Sequence, residues 1–523
     1  MYRSCLRRPL GRIATFLLSV AALVAAANSG FAMEPTLAQP TEGTPDVVTD
    51  RVEPVATRII VKYVENEAAR VGSEAAALGA VESLTAIAGV ELRHVQLMAD
   101  NAQVVEVVGM SGVDLTGPER AQAIETIQSI AERIAADPAV EYAEPDAIMQ
   151  IQQAVSDPLF GQQWHYTMPG TGVNLVAGWS NSTGSGVTVA VIDTGYRPHA
   201  DLLGNLSLPG FDFVSNTFTA NDGGGRDADA SDPGDWVTAA DIASSCPWIS
   251  NPRDSSWHGT HVAGTVAAVT NNALGVAGVA RSAKVVPVRV LGKCGGSLSD
   301  ITAGMRWGAG LPVPGAPANP NPAQVINLSL GGSGACGPTY QSAVNAIVAA
   351  GTTVVVAAGN ANANASGFRP ANCSGVVTVA ATNQIGARSW YSNFGSVVEI
   401  AAPGGETQPV PSRGVLSTLN AGATTPGADS YAFYQGTSMA APHVAGVAAL
   451  LYQLSPGISP AQVSMRLQNT AQPFPTVSSN QCSTSTSSTA KDCGAGIVDS
   501  GAATDGYLQA ATAMPWLMLL LND

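Results

Sequence analysis

Tyr434-Gln435-Gly436-Thr437-Ser438-Met439-Ala440-Ala441-Pro442-His443-Val444-Ala445-Gly446 runs directly into Val447-Ala448-Ala449-Leu450-Leu451. The second half is small and apolar on all sides, as a buried helix is. The first half sets a single serine among glycine, threonine and alanine. Glycine before the serine and alanines after it let another backbone approach closely. Pro442 has no N–H and belongs in a first helical turn, where that hydrogen lacks a partner in any case. Ser438 is therefore expected at a helix N-terminus, where partial positive charge favours a developing oxyanion. A serine so placed carries chemistry only if the chain also supplies a base and an acid.

Outward from this stretch, short apolar strands alternate with Ala- and Gly-rich helical stretches from Asp157 onward. The expected strands are Val187–Ile192, Lys284–Leu291, Val325–Leu330, Thr353–Ala357, Val376–Ala381 and Val398–Ala402. Runs apolar on both faces and separated by helices predict an α/β domain, a parallel sheet covered on both sides. In such sheets chemistry collects at the carboxyl ends of the strands. One of them ends in Asp193-Thr194-Gly195, and a carboxylate there is costly unless something pairs with it. His258-Gly259-Thr260-His261-Val262-Ala263-Gly264 opens a second small-residue helix. Two histidines three apart could ligate a metal, but no glutamate lies between them and no further His or Cys cluster completes a zinc site.

The order Asp193, His258, Ser438 is that of a catalytic triad, and the three motifs together resemble the subtilases, the subtilisin-like serine peptidases, from about Asp157 to Asp499. Within that family the chain resembles secreted bacterial extracellular serine proteases. The resemblance implies that His258 is the base and Ser438 the nucleophile, with Asp193 orienting the imidazole. It also implies oxyanion donors at Asn360, which ends Val354-Val355-Val356-Ala357-Ala358-Gly359-Asn360, and at the backbone of Ser438. His261 becomes structural and His443 a packed helix residue, while His94, His165 and His199 have no partner legible in the sequence. Ser329-Leu330-Gly331 is similar to the segment that pairs with an extended substrate, and Ala357-Ala358-Gly359 to the opposite wall of the primary pocket.

Calcium is the expected structural cofactor. Asp222, Asp227, Asp229, Asp232 and Asp235 crowd a Gly-rich stretch, and hard carboxylate oxygens suit Ca²⁺; an exposed acidic loop is the other reading. A second site, at Asp201 and Asn272 in the loop Asn271–Val276, is implied by the resemblance, although that loop is one residue longer than the common form.

The remainder of the chain frames this unit. Charged residues make up 12% of the 523, about half the usual share of roughly 25%. Net charge is −15, and residues 33–153 carry 20 acidic against 7 basic side chains. Beyond the leader there is no basic stripe, so nucleic acid is a poor candidate partner. Arg3, Arg7, Arg8 and Arg12 precede an apolar run, Ile13–Ala27, that is short of the roughly 20 residues a membrane span needs. Gly30-Phe31-Ala32 then offers a cleavage site, so residues 1–32 read as a signal peptide of a secreted protein with no membrane span. Residues 33–56 read as a linker and 57–153 as a small α+β domain, with strands at Arg58–Val64 and Gln103–Val108 and a helix at Glu119–Ala136. Beside a subtilase this domain resembles the propeptide, an intramolecular chaperone and inhibitor, removed by a cut between about Gln150 and Ser156.

Residues 154–510 are the expected peptidase domain and 511–523 a C-terminal tail. Cys5 would leave with the leader, and the other six cysteines suggest three disulfides. The short loop favours Cys482–Cys493, and pairing in chain order gives Cys246–Cys294 and Cys336–Cys373, although the sequence does not choose among pairings. The whole is expected to be a monomeric, self-processing serine endopeptidase acting on polypeptides through an acyl-enzyme. A catalytically silent scaffold used for binding, and a peptide ligase or cyclase on the same chemistry, are the other readings.

Overall fold

The computed structural model describes residues 56–110, 117–147, 155–477, 479–482 and 491–505. The leader, most of the linker, most of the expected cut region and the C-terminal tail therefore lie outside the described residues.

The N-terminal domain alternates strand and helix as β1 (Arg58–Tyr63), α1 (Glu74–Ala88), β2 (Leu92–Met98), β3 (Ala102–Val107), α2 (Gly117–Ala135) and β4 (Val140–Pro145). Its antiparallel sheet runs β2-β3-β1-β4, the split β-α-β-β-α-β arrangement. Ile59, Val61 and Tyr63 of β1 alternate inward to meet Leu84 of α1 and Ile127, Ile130 and Ile134 of α2. The region is α+β as expected, with α1, β2 and β4 added to the elements read from the sequence. In α1, Ser73 caps the first turn by accepting from Ala76 N, and Gly89 ends it at φ 67°.

The larger sheet is all parallel. It consists of β5 (Thr188–Asp193), β6 (Phe211–Asp212), β7 (Lys284–Arg289), β8 (Val325–Leu328), β10 (Thr353–Ala357), β12 (Val377–Thr382) and β13 (Ile400–Pro403), in the order β13-β12-β10-β8-β5-β7-β6. Two short strands, β9 (Gly332–Ser333) and β11 (Phe368–Arg369), pair beside it, and β14 (Val415–Asn420) with β15 (Asp429–Tyr434) form a hairpin. The principal helices are α3 (His258–Ala267), α4 (Leu298–Gly308), α5 (Gly337–Ala349), α6 (Thr437–Leu454) and α7 (Pro460–Asn469).

Strand β5 shows why both faces must be covered. Val189 and Val191 enter a core with α3 and α6, while Ala190 and Ile192 enter the other with α4 and α5. Each of the buried valines and the isoleucine contributes roughly 1.5–3 kcal/mol by leaving water. Because β7 lies on one side of β5 and β8 on the other, the strand order reverses at β5. A crevice at the carboxyl ends of the strands follows from that reversal.

One element is new and one expectation is corrected. The hairpin β14–β15 was not anticipated, and Pro442 lies in the second turn of α6 rather than the first. An interior proline removes a hydrogen bond to the carbonyl four residues back. That carbonyl belongs to Ser438, and it accepts from Ser329 Oγ at 2.7 Å instead. The three disulfides pair Cys246–Cys294, Cys336–Cys373 and Cys482–Cys493. No described helix is long and apolar enough to cross a membrane.

Candidate active site

Asp193 is the last residue of β5 and is fully buried. His258 is the first residue of α3, and its Nδ1–H donates to Asp193 Oδ1 at 2.7 Å. The two elements meet because both contact residues are glycine. A Cβ on Gly259 would stand 2.1 Å from the Gly195 carbonyl oxygen, and Gly195 itself has φ 102°. Trp257, just before the histidine, takes φ 48°, and its buried ring donates to Gly422 O at 2.7 Å. Backbone strain of this kind persists only where the surroundings over-determine it.

Burial draws the His258 imidazole down. The Asp193 charge and hydrogen bond outweigh this, with Asp235 and Asp232 adding to them, and the ring ends above its ordinary value. His261 is buried one turn on, donates from Nε2 to Ala432 O at 3.0 Å and stacks on Tyr434. Burial first, with His258 beside it, holds it down at about 3. It has no access to the chemistry. His443 donates to Met439 O and faces His165 at 2.8 Å, which supplies the partner His165 lacked in the sequence. His199 donates to Ser430 O, and His94 bonds Gln103 and Glu74 in the N-terminal domain.

Ser438 is the second residue of α6, behind Gly436 at φ 152°. Among the first helical N–H groups, Thr437 donates to Asn360 Oδ1, and Met439 and Ala440 to Gly436 O. The Ser438 N–H is the one left over. Asn360 Oδ1 also accepts from Thr437 Oγ1 at 2.9 Å. Its oxygen is thus fixed twice, while its Nδ2 has no hydrogen-bond partner among the described residues, and Asn360 lines the cleft. Ser438 Oγ donates to the Ser329 carbonyl at 3.1 Å; among the described residues it has no hydrogen bond to His258.

Thr194, His258, Asn360 and Ser438 line one cleft of about 730 Å³. Ser329, Leu330 and Gly331 lie on it, as do Ala357, Ala358 and Gly359, so the structure brings both expected walls together with His258 and Ser438. The pocket lining that the sequence did not disclose includes Tyr340, Phe368 and Ala371.

The five aspartates of the 222–235 stretch are not gathered at one point. Asp222 pairs with the buried Arg289 at 2.7 Å, alongside Asp212. Asp227 caps the Asp229 N–H, Asp229 the Ser231 N–H, and Asp232 the Gly234 N–H, each closing its own turn. Asp235 instead accepts from Ser256 N at 2.6 Å and Ser256 Oγ at 3.0 Å, two residues before His258. Among the described residues no three His, Cys, Asp or Glu side chains converge to hold a metal.

At the second expected site, Asp201 is fully buried and accepts from Asn272 Nδ2 and Val276 N, both at 2.8 Å. Asp157, buried beside this loop, accepts from the N–H groups of Asn271 and Asn272. Burial raises the Asp201 carboxyl to about 7, with Asp157 adding to it.

The subtilase family model, that of a peptidase family, matches residues 184–496. The chain belongs to the subtilase family. It is 48% identical over 393 residues to an extracellular protease of Xanthomonas campestris pv. campestris, a match covering 75% of this chain and 64% of that one. It is 41% identical over 422 residues to an extracellular basic protease of Dichelobacter nodosus, covering 79% of this chain and 66% of the relative. In both cases the match spans slightly less than two thirds of the relative's own length. A solved protease structure from Pseudoalteromonas arctica matches with TM-score 0.63 and 54% identity, over 68% of this chain and 100% of that chain. The subtilisin-like fold, a parallel sheet with helices on both faces, is common to both.

Proposed function

We propose that the chain is a secreted serine endopeptidase that hydrolyses peptide bonds by an Asp193–His258–Ser438 triad. The observation that carries this is the 2.7 Å His258–Asp193 hydrogen bond, made on the cleft where Ser438 opens α6. That bond leaves His258 Nε2 as the basic nitrogen. Ser438 Oγ now rests on the Ser329 carbonyl. A substrate backbone N–H that takes this carbonyl releases the hydroxyl to turn towards His258.

His258 Nε2 then accepts the proton as Oγ bonds to the scissile carbonyl carbon. The oxyanion is held by the Ser438 N–H and Asn360 Nδ2. The C–N bond breaks as His258 returns the proton to the leaving amine, and water repeats the sequence on the acyl-enzyme. Substrate lies extended between 329–331 and 357–359, paired by backbone.

The α+β domain of residues 57–153 supports a zymogen reading, as chaperone and inhibitor of its own peptidase unit, which then acts as a monomer. In Ser438→Ala the 33–153 segment should stay attached. If that variant matures to the same product without added protease, self-processing is excluded.

A calcium ion fits the chemistry at Asp201 better than at the dispersed 222–235 aspartates. The buried Asp201 carboxylate, with Asp157 and Asn272 beside it, has no ion-pair partner among the described residues. Bound calcium would supply one there and hold the 271–276 loop.

A further inference from the structure

The cleft's charges are unevenly matched. His258 is paired with Asp193, and Asp235 faces Arg253 at 3.9 Å. Arg369 also lines the cleft, is exposed, and has no acidic partner among the described residues. The cause is visible in the chain. Between Asp300 and Glu399 there is no Asp or Glu at all, and this acid-free stretch supplies both walls of the pocket.

The stretch contains three cations, of which two are accounted for elsewhere. Arg388 is buried and donates to the carbonyls of Ser389 and Ser392 and to Asn362 Oδ1. Arg306 lies in the last turn of α4, away from the cleft. Arg369 is held at the wall by β11, which sets it opposite Gly332, one residue past Gly331. Its guanidinium lies over Gly334, whose added Cβ would be 3.4 Å from Arg369 Cζ. Burial pushes the Tyr340 phenol up to about 12, and the Arg369 charge acts against that rise, so the cation sits within electrostatic reach of this pocket residue.

We propose that Arg369 is a specificity residue of the cleft: its uncompensated guanidinium, beside Tyr340 and Phe368, favours a carboxylate-tipped substrate side chain in the primary pocket and disfavours lysine or arginine there. This rests on the peptidase reading. The apolar stem of a glutamate can lie on Phe368 and Ala371 while its carboxylate approaches the guanidinium. A pair that stays partly hydrated changes kcat/KM by a modest factor, roughly 3- to 10-fold.

The test uses mature wild type, Arg369→Gln and Arg369→Glu. Each is assayed on four peptides that differ only in the residue whose carbonyl is cut: Leu, Gln, Glu or Lys. The kcat/KM ratio of the Glu to the Gln peptide should fall about 3- to 10-fold in Arg369→Gln, and the Lys peptide should gain by a similar factor in Arg369→Glu. The Leu peptide should stay within about twofold throughout, which separates lost charge from misfolding. The differences should shrink at high salt, where Debye screening is strong. A Glu-to-Gln ratio that is the same in all three proteins overturns the proposal. If wild type cleaves none of the peptides, the peptidase reading itself falls and this inference falls with it.

Discussion

Ser438 is defined by neighbours as much as by its hydroxyl. Its carbonyl, deprived of a helical partner by Pro442, is taken by Ser329 Oγ, and the Ser329 carbonyl in turn takes the Ser438 hydroxyl. These reciprocal bonds tie Ser438, the proposed nucleophile, to the wall along which substrate is proposed to pair. Asp235 does comparable work for His258, the proposed base, gripping Ser256 from within the cleft while its charge acts on the imidazole. The groups facing that imidazole are Asp193 from β5, and Asp235 and Asp232 from the loop after β6. All three hold its pKa up. Asp235→Asn keeps an acceptor for Ser256 but removes the charge, so the His258 pKa falls and neutral base persists to lower pH. The acidic limb of the kcat/KM–pH profile should accordingly move to lower pH. A limb that stays in place, or moves to higher pH, would show that Asp235 only positions Ser256. Little of this was legible. Aspartate near glycine serves equally as a turn cap or a ligand, and only the backbone dihedrals decide which.

Among the elements, the approach of α3 to β5 is the tightest requirement. Gly259→Ala places a methyl 2.1 Å from a backbone oxygen that cannot rotate away. The helix must then shift, and the His258–Asp193 bond lengthens with it. Activity on any peptide should drop by about 10²-fold or more, and stability by about 2–4 kcal/mol. Near-wild-type kcat/KM with an unchanged unfolding midpoint would refute this packing. The strands that carry the site were readable because β5, β8 and β10 are apolar on both faces and end in residues with chemistry. The hairpin β14–β15 was not. Its inward positions include Ser417 and Thr418, whose hydroxyls donate to the α3 carbonyls of His261 and Thr260, so its pattern looks polar although it is buried. His165 was opaque for a related reason: its partner, His443, is 278 residues away.

At the scale of the whole molecule, an acidic α+β domain precedes a subtilase unit whose described cysteines close three loops. The α/β character of the chain from Asp157 onward was legible from its change of texture, because strand and helix lengths follow from patterning alone. Ligand sites were not, since they depend on which loops meet. If calcium occupies the Asp201 loop, EDTA should lower the melting temperature of the mature protein and added Ca²⁺ should restore it. An identical melting profile with and without chelator would count against the ion. The central claim is that Ser438 is a nucleophile activated by His258. Its most direct test is to treat the mature protein and its His258→Ala variant with a fluorophosphonate and locate the adduct by mass spectrometry. The account predicts a single adduct on Ser438 in the wild type and its loss in the variant; an unlabelled Ser438 in protein that still cleaves peptides would contradict it.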